Sequence, residues 1–309
     1  MIVTSVTVRV PAKINLQLAV GPLRPDGYHG LVTVFHAIGL FDMITVAAAA
    51  ADSVTVTGEG AGQVPADGDN LALRAVRALR AAVAAQAGPE VAVTINKRIP
   101  VAAGLAGGSA DAAAALVACN ELWRAGLPVR ELCEVAAGVG SDVAFAVLGG
   151  TAVGRGRGER LTPALMPAAR YHWVLALADG YLSTPQVYGT LDRMRAGRDV
   201  PAEPRLSTNV MAALRAGDPE ELGHSLSNDL QAPAIAMFPA LRKTLAAGRE
   251  FGSLGALVSG SGPTCLFLAR SARHATDLAV ALSGAGVCRS VVRAAGPAAG
   301  ATVISPRVS

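Results

Sequence analysis

The segment Pro100, Val101, Ala102, Ala103, Gly104, Leu105, Ala106, Gly107, Gly108, Ser109 and Ala110 runs straight into a helix-like stretch, Asp111-Ala-Ala-Ala-Ala-Leu-Val-Ala-Cys-Asn120. A glycine-bearing loop feeding a helix offers free backbone N–H groups and the positive end of a helix dipole, about half an elementary charge. Such a junction binds phosphate, and glycine lets the backbone approach an anion that a Cβ would hold away. The chemistry suggested is the handling of a nucleoside triphosphate. Alone the loop is a weak signal. It lacks the Gly-Lys-Ser/Thr ending of a P-loop, and Gly104, Gly107 and Gly108 are not spaced as a dinucleotide fingerprint. An ordinary strand-to-helix turn is the plain alternative.

Other residues have chemistry to offer. Lys13 shares one face of an alternating segment with Asn15 and Gln17, opposite Ile14, Leu16 and Leu18. It is one of three lysines (Lys13, Lys97, Lys243) among 27 basic residues, in a chain whose surface cations are otherwise arginine. Asp142 sits in a Gly-Ser-Asp turn. Taken singly, Lys13 reads equally as a solvated strand residue and Asp142 as a turn former bonding its own backbone. Ser109 either presents a hydroxyl to phosphate or Mg²⁺ or caps the helix. Asp111 suits the helix start but would repel a triphosphate, so it is expected to point away. Tyr28 and His29 in a turn-rich loop, with Tyr188 elsewhere, supply flat rings. Two facing rings can grip a pyrimidine, with stacking worth about 1–3 kcal/mol per base. His36, His172, His224 and His274 match no metal spacing.

The elements that must position these groups follow from periodicity. Strands are expected at 3–10, 13–20, 31–38, 43–48, 53–57 and 91–95, and helices at 70–85, 109–124 and 128–137. A Gly- and Arg-rich turn and strand at 149–158 closes the first unit. Beyond a proline-containing boundary at 163–167 come a strand at 173–178 and helices near 186–195, 208–216, 218–229 and 238–248. Strands near 255–259 and 264–269, a helix at 272–283 and a strand at 288–293 complete the second unit. The tail, 294–309, is expected to be loose. The class is α+β, with domains at 1–165 and 166–309.

Composition agrees with a folded protein in two domains: 309 residues, 51% hydrophobic and 16% charged. No run of about twenty strongly apolar residues suggests a membrane span, and no signal peptide is evident. Four scattered cysteines (119, 133, 265, 288) lack metal or disulfide spacing and read as buried thiols of a cytoplasmic protein. The net charge of +4 comes from dispersed arginines, which does not indicate nucleic acid.

Three motifs, Pro11-Ala-Lys-Ile-Asn-Leu16, the loop at 100–110 and Ser259-Gly-Ser-Gly-Pro-Thr-Cys-Leu-Phe-Leu268, together resemble the signatures of the GHMP small-molecule kinases. The likeness extends over most of the chain. Arg24-Pro-Asp-Gly-Tyr-His29, Gly140-Ser-Asp-Val143 and Ser227-Asn-Asp-Leu230 narrow it to a branch acting on a small molecule that carries cytidine diphosphate. The resemblance implies two domains with the site in the cleft between them, ATP as co-substrate and Mg²⁺, whose protein ligands stay unassigned. It implies Lys13 and Asp142 at the acceptor hydroxyl, and residues 100–110 around the triphosphate. Asn70, Leu71 and Lys97 would meet adenine, with Lys97 reaching base or phosphate. Asn15, Tyr28, His29, Thr184 and Tyr188 would meet the acceptor, Asn15 touching substrate or orienting Asp142. No obligate protein partner is implied. Ala102, Ala103 and Ala106 stand where glycine is more usual, and Tyr188 where phenylalanine is. A mevalonate- or homoserine-type sister kinase, and a non-catalytic nucleotide or sugar sensor, remain as alternatives.

Overall fold

A computed structural model describes residues 3–84 and 87–308. In chain order its first half comprises β1 (Val3–Leu23), β2 (His29–Ala48), β3 (Ser53–Gly58), a short 3-10 turn (Ala61–Gln63), α1 (Leu71–Val83), β4 (Val91–Lys97), α2 (Gly107–Leu122), α3 (Val129–Val139), α4 (Ser141–Leu148), β5 (Thr151–Arg155) and β6 (Arg160–Pro163). The second half carries β7 (Tyr171–Leu177), α5 (Thr184–Arg195), α6 (Thr208–Ala216), α7 (Pro219–Ser225), β8 (Ser227–Asn228), α8 (Gln231–Met237), α9 (Ala240–Glu250), β9 (Gly255–Val258), β10 (Cys265–Ala269), α10 (Ala272–Gly284), β11 (Ser290–Gly296) and β12 (Thr302–Val308).

Two sheets organise the chain. The larger runs β12-β1-β2-β4-β3, with β5 and β6 added beside β2 and β8 beside β1. The smaller is the antiparallel order β11-β7-β10-β9. The expected strands 3–10 and 13–20 fuse into β1, because Pro11, which has no N–H to give a ladder, sits at a register shift. Likewise 31–38 and 43–48 fuse into β2, with residues 39 and 40 bulging out between the pairs Ala12↔Ile38 and Pro11↔Phe41. A bulge re-aims the side chains that follow it, and Lys13 lies two residues beyond.

Helix α2 lies at the centre of the first unit. Ala110, Ala112, Ala113, Ala114 and Ala115 are all essentially inaccessible. A helix apolar all round must be covered all round, and α1, α3 and α4 join β1 and β2 in covering it. Its alanines allow those neighbours to come close. The start of α2 is thereby held firmly at the cleft.

Some expectations change. The apolar segment after Asp142 is α4, so Asp142 stands in a helix's first turn and not in a free turn. The expected helix 218–229 is α7 followed by β8, which pairs with β1. Helix α8 was not anticipated. The helix at 70–85 is observed over Leu71–Val83, and residue 85 lies outside the described residues. The tail is not loose: β12 pairs antiparallel with β1, returning the chain's end to the first sheet. β6 and β7 do flank residue 165, yet β8 and β12 both belong to the larger sheet, so 166–309 is not a self-contained unit. The cysteines are free; Cys119 and Cys265 are buried, Cys133 and Cys288 half-buried. Burial pushes the Cys119 and Cys265 thiols up to about 12. Among the described residues, no helix is long and apolar enough to cross a membrane.

Candidate active site

Three adjoining compartments lie where β1, the 100–110 loop, the 259–262 loop and α5 meet. The central one, about 370 Å³, is lined by Lys13, Asn15, Ala102–Gly104, Ala106–Ser109, Asp142, Thr184, Tyr188 and Gly260–Gly262, among others. Residues drawn from opposite ends of the chain therefore face one space.

The Lys13 ammonium lies 3.5 Å from Asp142 Oδ2. It donates to Asn15 Oδ1 at 2.9 Å; Asn15 Nδ2 donates to Thr33 Oγ1 at 2.7 Å, and Thr33 donates to the Gln17 carbonyl at 2.7 Å. The ammonium also lies 5.5 Å from the centre of the Phe35 ring, which stacks on Phe145 of α4. Asn15 therefore orients Lys13, not Asp142. Asp142 keeps about a third of its side chain open to solvent, whereas Lys13 keeps a tenth. The carboxylate is the accessible member and the ammonium is fixed behind it.

The loop's backbone alternates through left-handed residues: Ala102 (φ 53°), Gly104 (φ 75°) and Ala106 (φ 58°). Such alternation turns successive N–H groups toward one concavity. Two of the three positions are held by alanine, at roughly 1–2 kcal/mol of backbone strain each. Gly104 is required for a reason other than room for an anion: a Cβ there would overlap the Ser259 carbonyl oxygen. The two loops touch at that point, and Ser259 Oγ donates to the Gly104 carbonyl at 3.0 Å. Helix α2 begins at Gly107 with Ala106 as its cap residue, so Ser109 lies inside the first turn and is not the N-cap. Its hydroxyl lines the central cavity. Leu105 and Ala110 are in the core, and Pro100 lines none of the three compartments; their side chains shape the loop rather than meet a ligand. The Leu105 carbonyl accepts the Lys13 N–H at 3.3 Å, tying loop to strand.

Behind the loop is a smaller pocket of about 260 Å³, lined by Asn70, Leu71, Lys97, Val101, Asp111 and neighbours. Leu71 presents an apolar wall. Asn70 caps α1, accepting from Ala72 N at 2.9 Å and donating to the Pro65 carbonyl at 2.6 Å, so its amide is committed to the fold on both ends. Lys97 is buried and its ammonium is held by Asp42 and, at 2.8 Å, by Asp111. Asp42 also takes the Arg98 and Ile99 N–H groups. Asp111 turns toward Lys97 and does not line the central cavity, in line with its expected orientation. Its carboxyl is pushed up to about 7 by burial, with the Lys97 charge opposing and Asp42 adding to the rise.

The third compartment, about 640 Å³, is lined by Tyr28, His29, Arg157, Thr184, Tyr188 and Asp192, among others. The ring that faces Tyr188 is His29, at 5.0 Å between centroids, and not Tyr28. Tyr28 is exposed and lies under the Arg157 guanidinium at 4.8 Å. His29 Nε2 lies 2.8 Å from Asp192 Oδ1 on α5, which fixes the ring. Burial, with Asp142 and Asp229 adding to it, pushes the Tyr188 hydroxyl above its ordinary value, so it stays a neutral donor. Thr184 Oγ1 is 2.8 Å from Ser261 Oγ, joining α5 to the 259–262 loop. Arg157 and Tyr188 border both this compartment and the central one. Sequence reasoning missed Arg157, Thr33, Phe35 and Asp192. Arg157 had a local signal, the glycine-spaced arginines of Gly154-Arg-Gly-Arg-Gly158; the other three act through cross-strand or cross-helix pairing that no local pattern marks.

No group of three acidic, histidine or cysteine side chains gathers to form a metal cage among the described residues. Mg²⁺ keeps several waters and binds through substrate phosphates with one or two protein oxygens. The Ser109 hydroxyl, which lines the central cavity, fits that demand.

Comparison with known proteins identifies the family. The family model described as GHMP kinases N terminal domain matches residues 70–150, and GHMP kinases C terminal matches 210–288. Proteins named 4-diphosphocytidyl-2-C-methyl-D-erythritol kinase from Thermobifida fusca and Mycolicibacterium smegmatis are each 55% identical, covering 97% of this chain and 99% and 92% of their own lengths. A crystal structure of 4-(cytidine 5'-diphospho)-2C-methyl-D-erythritol kinase superposes with TM-score 0.73 at 33% identity, covering 93% of this chain and 98% of that one. A homoserine kinase from Cytophaga hutchinsonii shares the fold, with TM-score 0.73 at 19% identity over 97% of each chain. With both halves matched and such identity sustained end to end, the chain belongs to the GHMP kinase family, in its 4-diphosphocytidyl-2-C-methyl-D-erythritol kinase branch.

Proposed function

We propose that the protein transfers the γ-phosphoryl group of ATP to the 2-hydroxyl of 4-diphosphocytidyl-2-C-methyl-D-erythritol, a step in non-mevalonate isoprenoid precursor synthesis. The observation that carries this reading is the Lys13–Asp142 pair facing a phosphate cradle in one cavity that opens onto an aromatic compartment. Phosphoryl transfer asks a protein mainly for placement and for neutralisation of charge. Asp142 orients the acceptor hydroxyl and takes its proton. Lys13 holds that carboxylate in place and stabilises the charge that develops on the transferring phosphoryl oxygens. The N–H groups of 102–109 bind the triphosphate, and the pocket behind them, walled by Leu71, receives the base. His29 and Tyr188 hold the cytosine, with Tyr28 and Arg157 at its rim. Ser109 would hold Mg²⁺ through its hydroxyl, and the ion would supply neutralisation of the triphosphate's charge. The enzyme works in the cytoplasm, a reading supported by its free thiols.

The test is ATP consumption with the cytidylyl substrate, with mevalonate and with homoserine. Turnover should require the cytidine moiety, and Asp142→Asn should lower kcat by 10²–10⁴-fold, the usual worth of a general base, while ATP still binds. Equal turnover of mevalonate or homoserine would move the assignment to a sister kinase; full turnover by the variant would remove Asp142 from the chemistry.

A further inference from the structure

A fourth cavity, about 660 Å³, shares no lining residue with the three compartments of the active site. Its wall is assembled from both sheets: Arg9 of β1 and Phe41 of β2 on one side, Arg170, His172 of β7 and Arg293 of β11 on the other, with Ala272 at the start of α10. Among the described residues no carboxylate lines it.

Among the described residues none of these three arginines is paired with an Asp or Glu, and all three border one cavity. Elsewhere on the molecule Arg24, Arg80, Arg130, Arg195, Arg270 and Arg289 each face an Asp or Glu. Arg9 instead lies over the Phe41 ring at 4.5 Å, Arg293 donates to Thr276 Oγ1, and Arg170 has no partner among the described residues. All three are exposed, so their charged heads are open to a ligand. Like charges around one concavity repel, and an anion placed among them removes that repulsion while gaining charge-assisted hydrogen bonds. Helix α10, 13 residues long, opens here with the positive end of its dipole, and Ser271 uses its own hydroxyl to cap His274 N. The proton affinity of His172 is lowered by partial burial and then by Arg170, so the imidazole adds a neutral hydrogen-bonding group rather than a fourth charge.

We propose that this cavity is a second anion site that binds a diphosphate group and, in doing so, ties the larger sheet to the smaller one. Guanidinium forks recognise phosphate oxygens in pairs, and three of them around a space of this size exceed what one carboxylate would use. The diphosphate can be free or carried on an organic group resting against Phe41 and the neighbouring alanines.

Calorimetric titration of the full chain at low ionic strength tests this, with the catalytic cavity first filled by a non-hydrolysable ATP analogue. Inorganic diphosphate should bind once and saturably. Arg170→Ala/Arg293→Ala should weaken that binding at least tenfold and leave kcat for phosphoryl transfer unchanged. Tighter binding of butyl diphosphate than of the inorganic ion assigns the site to an ester, and equal or weaker binding assigns it to the free ion. Absence of binding in the wild type overturns the proposal. So does unchanged affinity in the double variant, or an equal loss in Arg130→Ala/Arg242→Ala, whose arginines lie elsewhere.

Discussion

Asn15 commits both ends of its amide: the oxygen takes the Lys13 ammonium and the nitrogen donates to Thr33. A hydrogen bond to a charged group is worth about 1.5–3 kcal/mol, and about 1.4 kcal/mol is tenfold in rate. Asn15→Leu, which keeps the shape and removes the bond, should therefore lower kcat about 10–100-fold with the KM for ATP little changed. Steady-state kinetics check this, and a kcat within twofold of wild type would mean Lys13 is held well enough by Phe35 and Asp142. At this scale much of the site was legible. Lys13, Asp142 and His29 lie in the motifs, Thr184 and Tyr188 follow from the family resemblance, and all five line its cavities. Asn70 was legible only as a polar residue in the right place. Whether its amide is free depends on Pro65 and on where α1 begins, which the residue type does not record.

Among the elements, the two glycine-bearing loops form one contact. Gly104 meets Ser259 backbone to backbone, and its left-handed φ adds to the demand for glycine. Gly104→Ala should destabilise the protein by about 2–3 kcal/mol, since strained backbone alone costs 1–3. Ala106→Gly should be neutral to mildly stabilising: it relieves roughly 1–2 kcal/mol of strain but gives the unfolded chain about 0.4–1 kcal/mol of extra freedom. Urea unfolding of both variants checks the pair of expectations, and equal stabilities would contradict them. The element boundaries visible in sequence were those set by local signals, such as the periodicity of α1 and α10. The fusion of β1 and of β2, the short β8 and the docking of β12 depend on pairing between distant segments. A window of ten residues carries no trace of them.

Across the whole molecule, two buried ionisable groups pull stability in opposite directions with pH. His36 is fully buried beside Tyr171 and Trp173 of the second sheet, and burial holds its pKa down to about 3. Between about 3 and 6.5 the unfolded chain binds the extra proton, so His36 makes stability fall as pH falls. Asp111, held up to about 7, does the reverse: between about 4 and 7 the folded chain keeps the proton, and stability falls as pH rises. Each slope is roughly 1 kcal/mol per pH unit, so the two nearly cancel from about 4 to 6.5. Asp111→Asn removes one of them. Its stability, by urea unfolding at stepped pH, should drop on acidification below 6.5 by roughly 1 kcal/mol per unit more than wild type. Parallel profiles would show that the two groups do not titrate as described.

The sealed sulfurs have a practical corollary. With the Cys119 and Cys265 thiols near 12, on the order of one in 10⁵ is ionised at neutral pH, and only the thiolate attacks an alkylating reagent. One of these sulfurs sits in the central helix of the first unit and the other in the second sheet. Iodoacetamide modification at each, followed by mass spectrometry, thus becomes a pair of clocks. Ticking together, they time the opening of the entire protein; ticking apart, they tell which half lets go first.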